Sequence, residues 1–254
     1  MAIRSPEEKC AAVTDLWLAV QTGDFEFDTA TPVAPIGVAG HPVRPELVEP
    51  SKLRRRRLGS DTGRAALVHA VAHIEFNAIN LALDAVYRFR DMPSQYYFDW
   101  SSVAADEVRH HQMLSSRLRS MGFCYGDFPA HNGLWEMAQN TADDCMKRMA
   151  LVPRVLEARG LDVTPPMIEK LRSAGDDETV AILEIILIEE VRHVEIGSHW
   201  FRYGCAQRGL EPESTFLSLV KELYTGTLRG PFNIPARMKA GFTQREMDAI
   251  ASLY

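Results

Sequence analysis

The sequence predicts an all-α protein, a bundle of four long helices with additional helices toward its N- and C-terminal ends. Three observations predict it. The pentapeptide Asp106-Glu107-Val108-Arg109-His110 returns as Glu189-Glu190-Val191-Arg192-His193, and each copy holds Glu-x-x-His, whose two end residues share one face of a helix, one turn apart. Each copy also follows another glutamate at almost the same interval: Glu75 stands 32 residues before Glu107, and Glu157 stands 33 before Glu190. Helical periodicity recurs along the chain, and no segment reads as a strand.

The elements follow in order. Ser5-Pro6-Glu7-Glu8 is a capping box that opens a helix to about Val20. Residues 22–60, rich in Pro, Gly and Val, read as an extended connector. This divides the chain into an N-terminal arm, 1–60, and a bundle with its C-terminal extension, 61–254, a single domain overall. The next helix spans about Thr62 to Arg90. The turn Asp91-Met92-Pro93 falls midway between Glu75 and Glu107, and Pro93 suits the first position of the following helix, to Ser120. Two antiparallel helices joined there bring Glu75 and Glu107 to the same height. Gly122 to Gly133 is a loop. A helix from about Leu134 to Arg159 is expected to stop at Gly160, with a short helix from Pro165 to about Ser173 behind it. The last long helix covers Asp177 to Arg208, and a further one Pro212 to Tyr224. Residues 226–242 carry Gly, Pro and Asn punctuation and read as a loop, and Thr243-Gln244-Arg245-Glu246 caps a short final helix.

Glu75, Glu107, His110, Glu157, Glu190 and His193 together form the four-Glu, two-His set that holds two metal ions inside a helix bundle. The positions three, four and seven residues from Glu75 are Val68, Val71, Ala72, Ala78, Ile79 and Ala82. A carboxylate in such a stripe is buried and needs a partner or a metal. Ile186, Leu187 and Val194 flank Glu190 in the same way, and the alanines near Glu75 leave room for dioxygen or a substrate. One Glu-x-x-His arises by chance in a chain with eight histidines; two copies with matched upstream glutamates argue for a shared purpose. Glu157, between Pro153 and Gly160, also reads as a helix-end residue.

Asp106 and Glu189 are candidates to accept the outward N–H of His193 and His110 respectively, as metal-bound imidazoles require, with Arg109 and Arg192 balancing charge. The same four residues also read as a solvated face. His69, His73 and His199 lie on other helix faces, and His111 and His131 have no helical link to the set; these read as structural.

Composition bounds the function. Apolar residues make up 46% and charged residues 24%, ordinary for a globular chain. The net charge of −6 argues against a general nucleic-acid binder. Cys10, Cys124, Cys145 and Cys205 form no Cys-x-x-Cys, which points to reduced thiols and a cytoplasmic location. No uncharged stretch of membrane-spanning length occurs. The basic run Arg54-Arg55-Arg56-Arg57 reads as a solvated linker, with a nucleic-acid contact as the alternative.

The sequence resembles the ferritin-like di-iron carboxylate superfamily. Asp106-Glu107-Val108-Arg109-His110 matches the Asp-Glu-x-Arg-His motif of bacterial multicomponent monooxygenases. A wider resemblance, to a bacterial ferritin-like family of unknown function, rests on four stretches: His73-Ile74-Glu75; Leu81-Ala82-Leu83-Asp84-Ala85-Val86-Tyr87-Arg88-Phe89; Glu157-Ala158-Arg159-Gly160-Leu161-Asp162-Val163-Thr164-Pro165; and His193-Val194-Glu195-Ile196-Gly197. It runs from about residue 60 to the end. That family is distantly similar to the tRNA hydroxylases that act on the isopentenyl group of a modified adenosine. The resemblance implies a ferritin-like four-helix core with the six residues named above as ligands; it supplies no substrate.

Carboxylates with imidazole suit two iron ions, or manganese as the alternative, and four carboxylates offset the charge of two divalent ions. The expectation is an oxygen-dependent di-iron oxidoreductase, a hydroxylase or monooxygenase. Its partners would be dioxygen, a small-molecule or nucleoside substrate and an electron-donor reductase, with no membrane and with a homo-oligomer open. A ferroxidase that handles iron and a non-catalytic metal-binding scaffold are the alternatives. Arg229, Gly230, Pro231, Phe232, Asn233, Arg237 and Phe242 form a candidate lid or, equally, a packed C-terminal wrap.

Overall fold

A computed structural model of the protein describes residues 1–23, 28, 30–53, 57–224, 226 and 228–252. The described residues are all-α, with no strand and one isolated bridge, between Leu47 and Ala130. The helices are α1 (Pro6–Thr22), α2 (Asp61–Arg88), α3 (Ser94–Ser120), α4 (Gly133–Asn140), α5 (Cys145–Leu151), α6 (Ala158–Ser173), α7 (Asp177–Gln207), α8 (Pro212–Leu223), α9 (Ile234–Lys239) and α10 (Gln244–Ser252). A 3-10 turn covers Pro50–Lys52, and a π-helical turn, Val152–Glu157, joins α5 to α6. Of the basic run, Arg54, Arg55 and Arg56 lie outside the described residues.

The chain forms two compact units. The first is Met1–Gln139 with Lys170–Ile182, the second Asn140–Glu169 with Leu183–Tyr254. In the first unit, α2 and α3 are an antiparallel pair and α1 packs on α3. Ser5 caps α1 through Glu8 N–H, and Ser60 caps α2 through Gly63 N–H. Lys9 of α1 is 1% exposed. Its ammonium donates to Gly40 O and Asn80 Oδ1, each at 2.5 Å, and lies 4.6 Å from the centre of the Phe76 ring. It therefore ties α1 and the connector to α2, and burial pulls its pKa down to about 8. At the far end of α3, Arg117 donates to Asp176 Oδ1 at 2.8 Å while Asp176 accepts from Thr179 N–H, fixing the start of α7. Among the described residues, α2 alone is long and apolar enough to cross a membrane, and 72% of that stretch is buried inside the protein.

The second unit departs most from expectation. The helix expected over Leu134–Arg159 is broken at 141–144. There Asp144 turns its carboxylate to cap Met146 N–H at 2.8 Å and to pair with Arg208 at 2.6 and 2.9 Å. The expected stop at Gly160 does not occur, nor does the separate helix from Pro165: α6 runs unbroken through Gly160, Pro165 and Pro166. Pro165 has no N–H for the Leu161 carbonyl, but Asn233 Nδ2 donates to that carbonyl at 3.1 Å. The segment 226–242, read as a loop, contains α9, capped by Asn233 through Ala236 N–H. Pro93 is the residue before α3 rather than its first.

Candidate metal centre

The first half of the repeat builds one cluster. The 91–93 turn sets α2 against α3 so that Glu75 faces His110, and the i, i+3 spacing sets Glu107 beside it. His110 Nδ1 lies 3.1 Å from Glu75 Oε2 and 3.4 Å from Glu107 Oε2. One ligand atom from each of the three lies within 4.8 Å of the others. Glu107 and His110 are 0% exposed and Glu75 4%, as the apolar stripe around Glu75 requires: Val68, Ala72, Ile79 and Ala82 are all buried.

The electrostatics follow from burial. Desolvation first, and the Glu107 charge second, push Glu75 up to about 8, with His110 opposing. Desolvation works against a charge on His110, but hydrogen bonds and attraction from Glu107 and Glu75 outweigh it and raise its pKa to about 11. Two carboxylates and an imidazole out of water attract positive charge, whether protons or a metal. Carboxylate and imidazole are the donor set of hard divalent ions, so this buried cluster could hold a metal ion.

The second half of the repeat lies in the second unit. His193 is 0% exposed, with Nδ1 3.2 Å from Glu190 Oε1, the same i, i+3 pairing as on α3. Glu157 is not at a helix end. It is the last residue of the π-turn, and α6 continues beyond it. π-turns concentrate at functional sites, because the wider turn re-aims the residues it carries. Among the described residues, Glu157 joins no group of three ligand atoms as close as the Glu75 cluster.

The π-turn is held from one side. Pro153 packs on α7 so tightly that a Cβ at Gly197 would lie 2.2 Å from its Cγ. Arg154, 1% exposed, donates to Ser198 Oγ at 3.2 Å and Glu246 Oε1 at 2.7 Å. Its guanidinium carbon lies 4.9, 4.1 and 4.5 Å from the ring centres of Phe201, Phe216 and Phe242. Burial pulls its pKa down, and Glu246 opposes this. Glu246 is also the acidic partner in the capping box of α10, accepting Thr243 N–H at 2.8 Å. The box was visible in the sequence, but its second role was not.

Of the remaining candidates, Asp106 pairs with Arg109 at 3.0 Å, and Arg109 is half exposed. Glu189 is half-buried and Arg192 exposed. Arg237 is 1% exposed and forks onto Asp162 at 3.0 and 2.7 Å. Asn233 bonds α6, and Phe242 is buried between Arg154 and Arg237, so these residues are packed against α6 and the π-turn. His69, His73 and His111 surround Tyr125, their rings 5.3, 6.2 and 4.9 Å from its own. His73 Nδ1 is 2.9 Å from Tyr125 Oη, and Gly126 N–H donates to His69 Nε2 at 2.9 Å. His199 is exposed and packs edge-on against Trp200.

The chain matches, over residues 2–248, the family described as "Protein of unknown function (DUF455)". It is 44% identical over 256 residues to an uncharacterized protein of Haemophilus influenzae, covering 97% of this chain and 89% of that one. No solved structure matches it.

Proposed function

We propose that this chain, which belongs to the DUF455 family, is an oxygen-dependent di-iron oxidoreductase, a hydroxylase on a ferritin-like four-helix bundle with added terminal helices. The reading rests on one observation: a buried Glu75–Glu107–His110 cluster whose sequence pattern the chain repeats as Glu157–Glu190–His193. In this reading the two halves share two ions, with Glu75, Glu107 and His110 from one half and Glu157, Glu190 and His193 from the other. Iron is the first assignment and manganese the second.

Bound iron would supply the redox chemistry that reduces dioxygen with two electrons from a reductase, one oxygen atom entering a C–H bond of the substrate and the other leaving as water. The chain's own residues do the rest. Four carboxylates cancel the charge of two divalent ions, so the loaded centre is close to neutral within its apolar shell. Val68, Ala72, Ile79 and Ala82 keep water from Glu75. Asp106 and Glu189 are proposed to orient His193 and His110, with Arg109 and Arg192 as counterions. The substrate is a small molecule or a nucleoside; a tRNA nucleoside is the narrower form, and a homo-oligomer and a cytoplasmic setting complete the proposal.

Metal analysis tests it, with the protein beside its Glu107→Ala/Glu190→Ala variant. About two iron or manganese ions per chain, lost in the variant, are expected, followed by oxygen uptake when a reductant is supplied. No stoichiometric metal after anaerobic Fe(II) loading would leave a helical scaffold. Metal without oxygen consumption beyond Fe(II) oxidation would favour the ferroxidase alternative.

A further inference from the structure

The π-turn that carries Glu157 has no partner in the first half of the repeat: α2, which carries Glu75, is α-helical throughout. A π-turn is less stable than the α-helix it interrupts, so something must hold it. Two contacts do so from the side of α7 and the C-terminal wrap. The Pro153 ring occupies the space that Gly197 leaves open. Arg154 reaches Ser198 and Glu246 and is surrounded by Phe201, Phe216 and Phe242.

A guanidinium this deeply buried persists only with its counterion in place. That counterion sits on α10, 92 residues away. It is fixed there by the capping box, in which Glu246 accepts Thr243 N–H while Thr243 Oγ1 accepts Glu246 N–H. Arg154 Nη1 has no hydrogen-bond partner among the described residues. The arginine is therefore held by one carboxylate, one hydroxyl and aromatic faces, and has little to substitute for Glu246 if it is lost.

We propose that Glu246 and Arg154 are positioning residues for Glu157: the last helix of the chain locks the π-turn and so sets the direction of one carboxylate ligand, three residues beyond Arg154. This rests on the di-metal reading above. It makes the C-terminal helix part of the metal centre without contributing a ligand.

The test uses the full chain and Co(II) alone as probe, reading stoichiometry and stepwise affinity by equilibrium dialysis and the visible Co(II) spectrum. Glu246→Gln retains one acceptor oxygen for Thr243 N–H, and removes both the charge and the second acceptor that Arg154 uses; circular dichroism establishes that the variant is folded. The wild type is expected to take two ions. Glu246→Gln should keep the first with unchanged affinity and bind the second ten- to a hundredfold more weakly, the usual effect of removing an outer-shell partner. In a Glu157→Ala background the same change should add nothing. Wild-type affinity for the second ion in Glu246→Gln would overturn the proposal, as would equal weakening of both ions or a loss that persists in full in the Glu157→Ala background. If the wild type itself takes no second ion, the di-metal reading falls and the positioning role with it; if it takes two and Glu246→Gln is unchanged, the positioning role alone falls.

Discussion

Asn233 Nδ2 donates to the carbonyl oxygen of Leu161 at 3.1 Å, the carbonyl that Pro165, four residues further along α6, has no N–H to meet. A proline inside a helix costs about 3 kcal/mol, partly through this lost bond. The amide supplied from the C-terminal wrap replaces it, which is why the chain stays helical through Pro165. A double-mutant cycle measures the relationship. Asn233→Ala removes both this bond and the cap of α9, and should destabilise the protein by about 1–3 kcal/mol in a Pro165 background. In a Pro165→Ala background, where the backbone supplies its own donor, the cost should be smaller by about 0.5–1.5 kcal/mol. Additive effects in urea unfolding would mean that the amide is not acting for the missing N–H.

What the sequence made legible was local. Glu75, Glu107 and His110 could be brought together from a helical period and a turn at the midpoint, and both are properties of a few neighbouring residues. The separate helix expected from Pro165 failed to appear for a non-local reason: the amide that meets the carbonyl Pro165 leaves open is 72 residues away in the chain. The same holds for Arg154. An arginine one turn before a candidate ligand gives no signal of burial, because its counterion lies on the last helix and its aromatic surround comes from three further segments. The histidines on the far face of α2 were set apart from the ligands by periodicity, but Tyr125, around which they gather, lies in a loop without a period to read.

Gly197 should tolerate no side chain. An alanine there would place its Cβ 2.2 Å from Pro153 Cγ and 2.4 Å from its Cβ, so either α7 or the π-turn must move. Overpacking of this kind costs about 1–3 kcal/mol, and a thermal melt should show a loss of roughly 2–4 °C per kcal/mol in a domain of this size. Gly160, with open space around it, is the control: Gly160→Ala should be neutral or stabilising, since alanine favours the helix by about 1 kcal/mol. Equal melting temperatures for the two variants would contradict the packing described here.

Acid should weaken the fold through the histidines around Tyr125. Burial lowers His69 and His73 from 6.5 to about 4, so both are neutral in the folded protein while the unfolded chain takes up protons below 6.5. Because their folded pKa values are depressed, the stability they contribute is present above pH 6.5 and is lost as pH falls toward 4. The slope is about 1.4 kcal/mol per pH unit for each histidine. His69→Gln, which keeps an acceptor for Gly126 N–H, should flatten the denaturation profile between pH 6 and 4. An unchanged slope would exclude His69 as a source.

Metal uptake by the Glu75 cluster should release protons. With Glu75 raised to about 8 and His110 to about 11, both groups hold protons at neutral pH, whereas a metal needs the carboxylate ionised and the imidazole neutral. Raised folded pKa values mean that protons compete with the ion until pH passes those values, so apparent affinity should climb through pH 7 to 9. The expected slope is about tenfold per pH unit for each proton displaced. Calorimetry at pH 7 in two buffers of different ionisation heat counts those protons directly, and one or more per ion is expected. Glu75→Gln removes one of the competing sites along with a ligand, so it should bind the ion more weakly and with a shallower pH dependence. A wild-type affinity that stays flat across this range would mean that the ion enters elsewhere, because an ion that joins this cluster displaces the protons that burial favours on Glu75 and that the neighbouring carboxylates favour on His110.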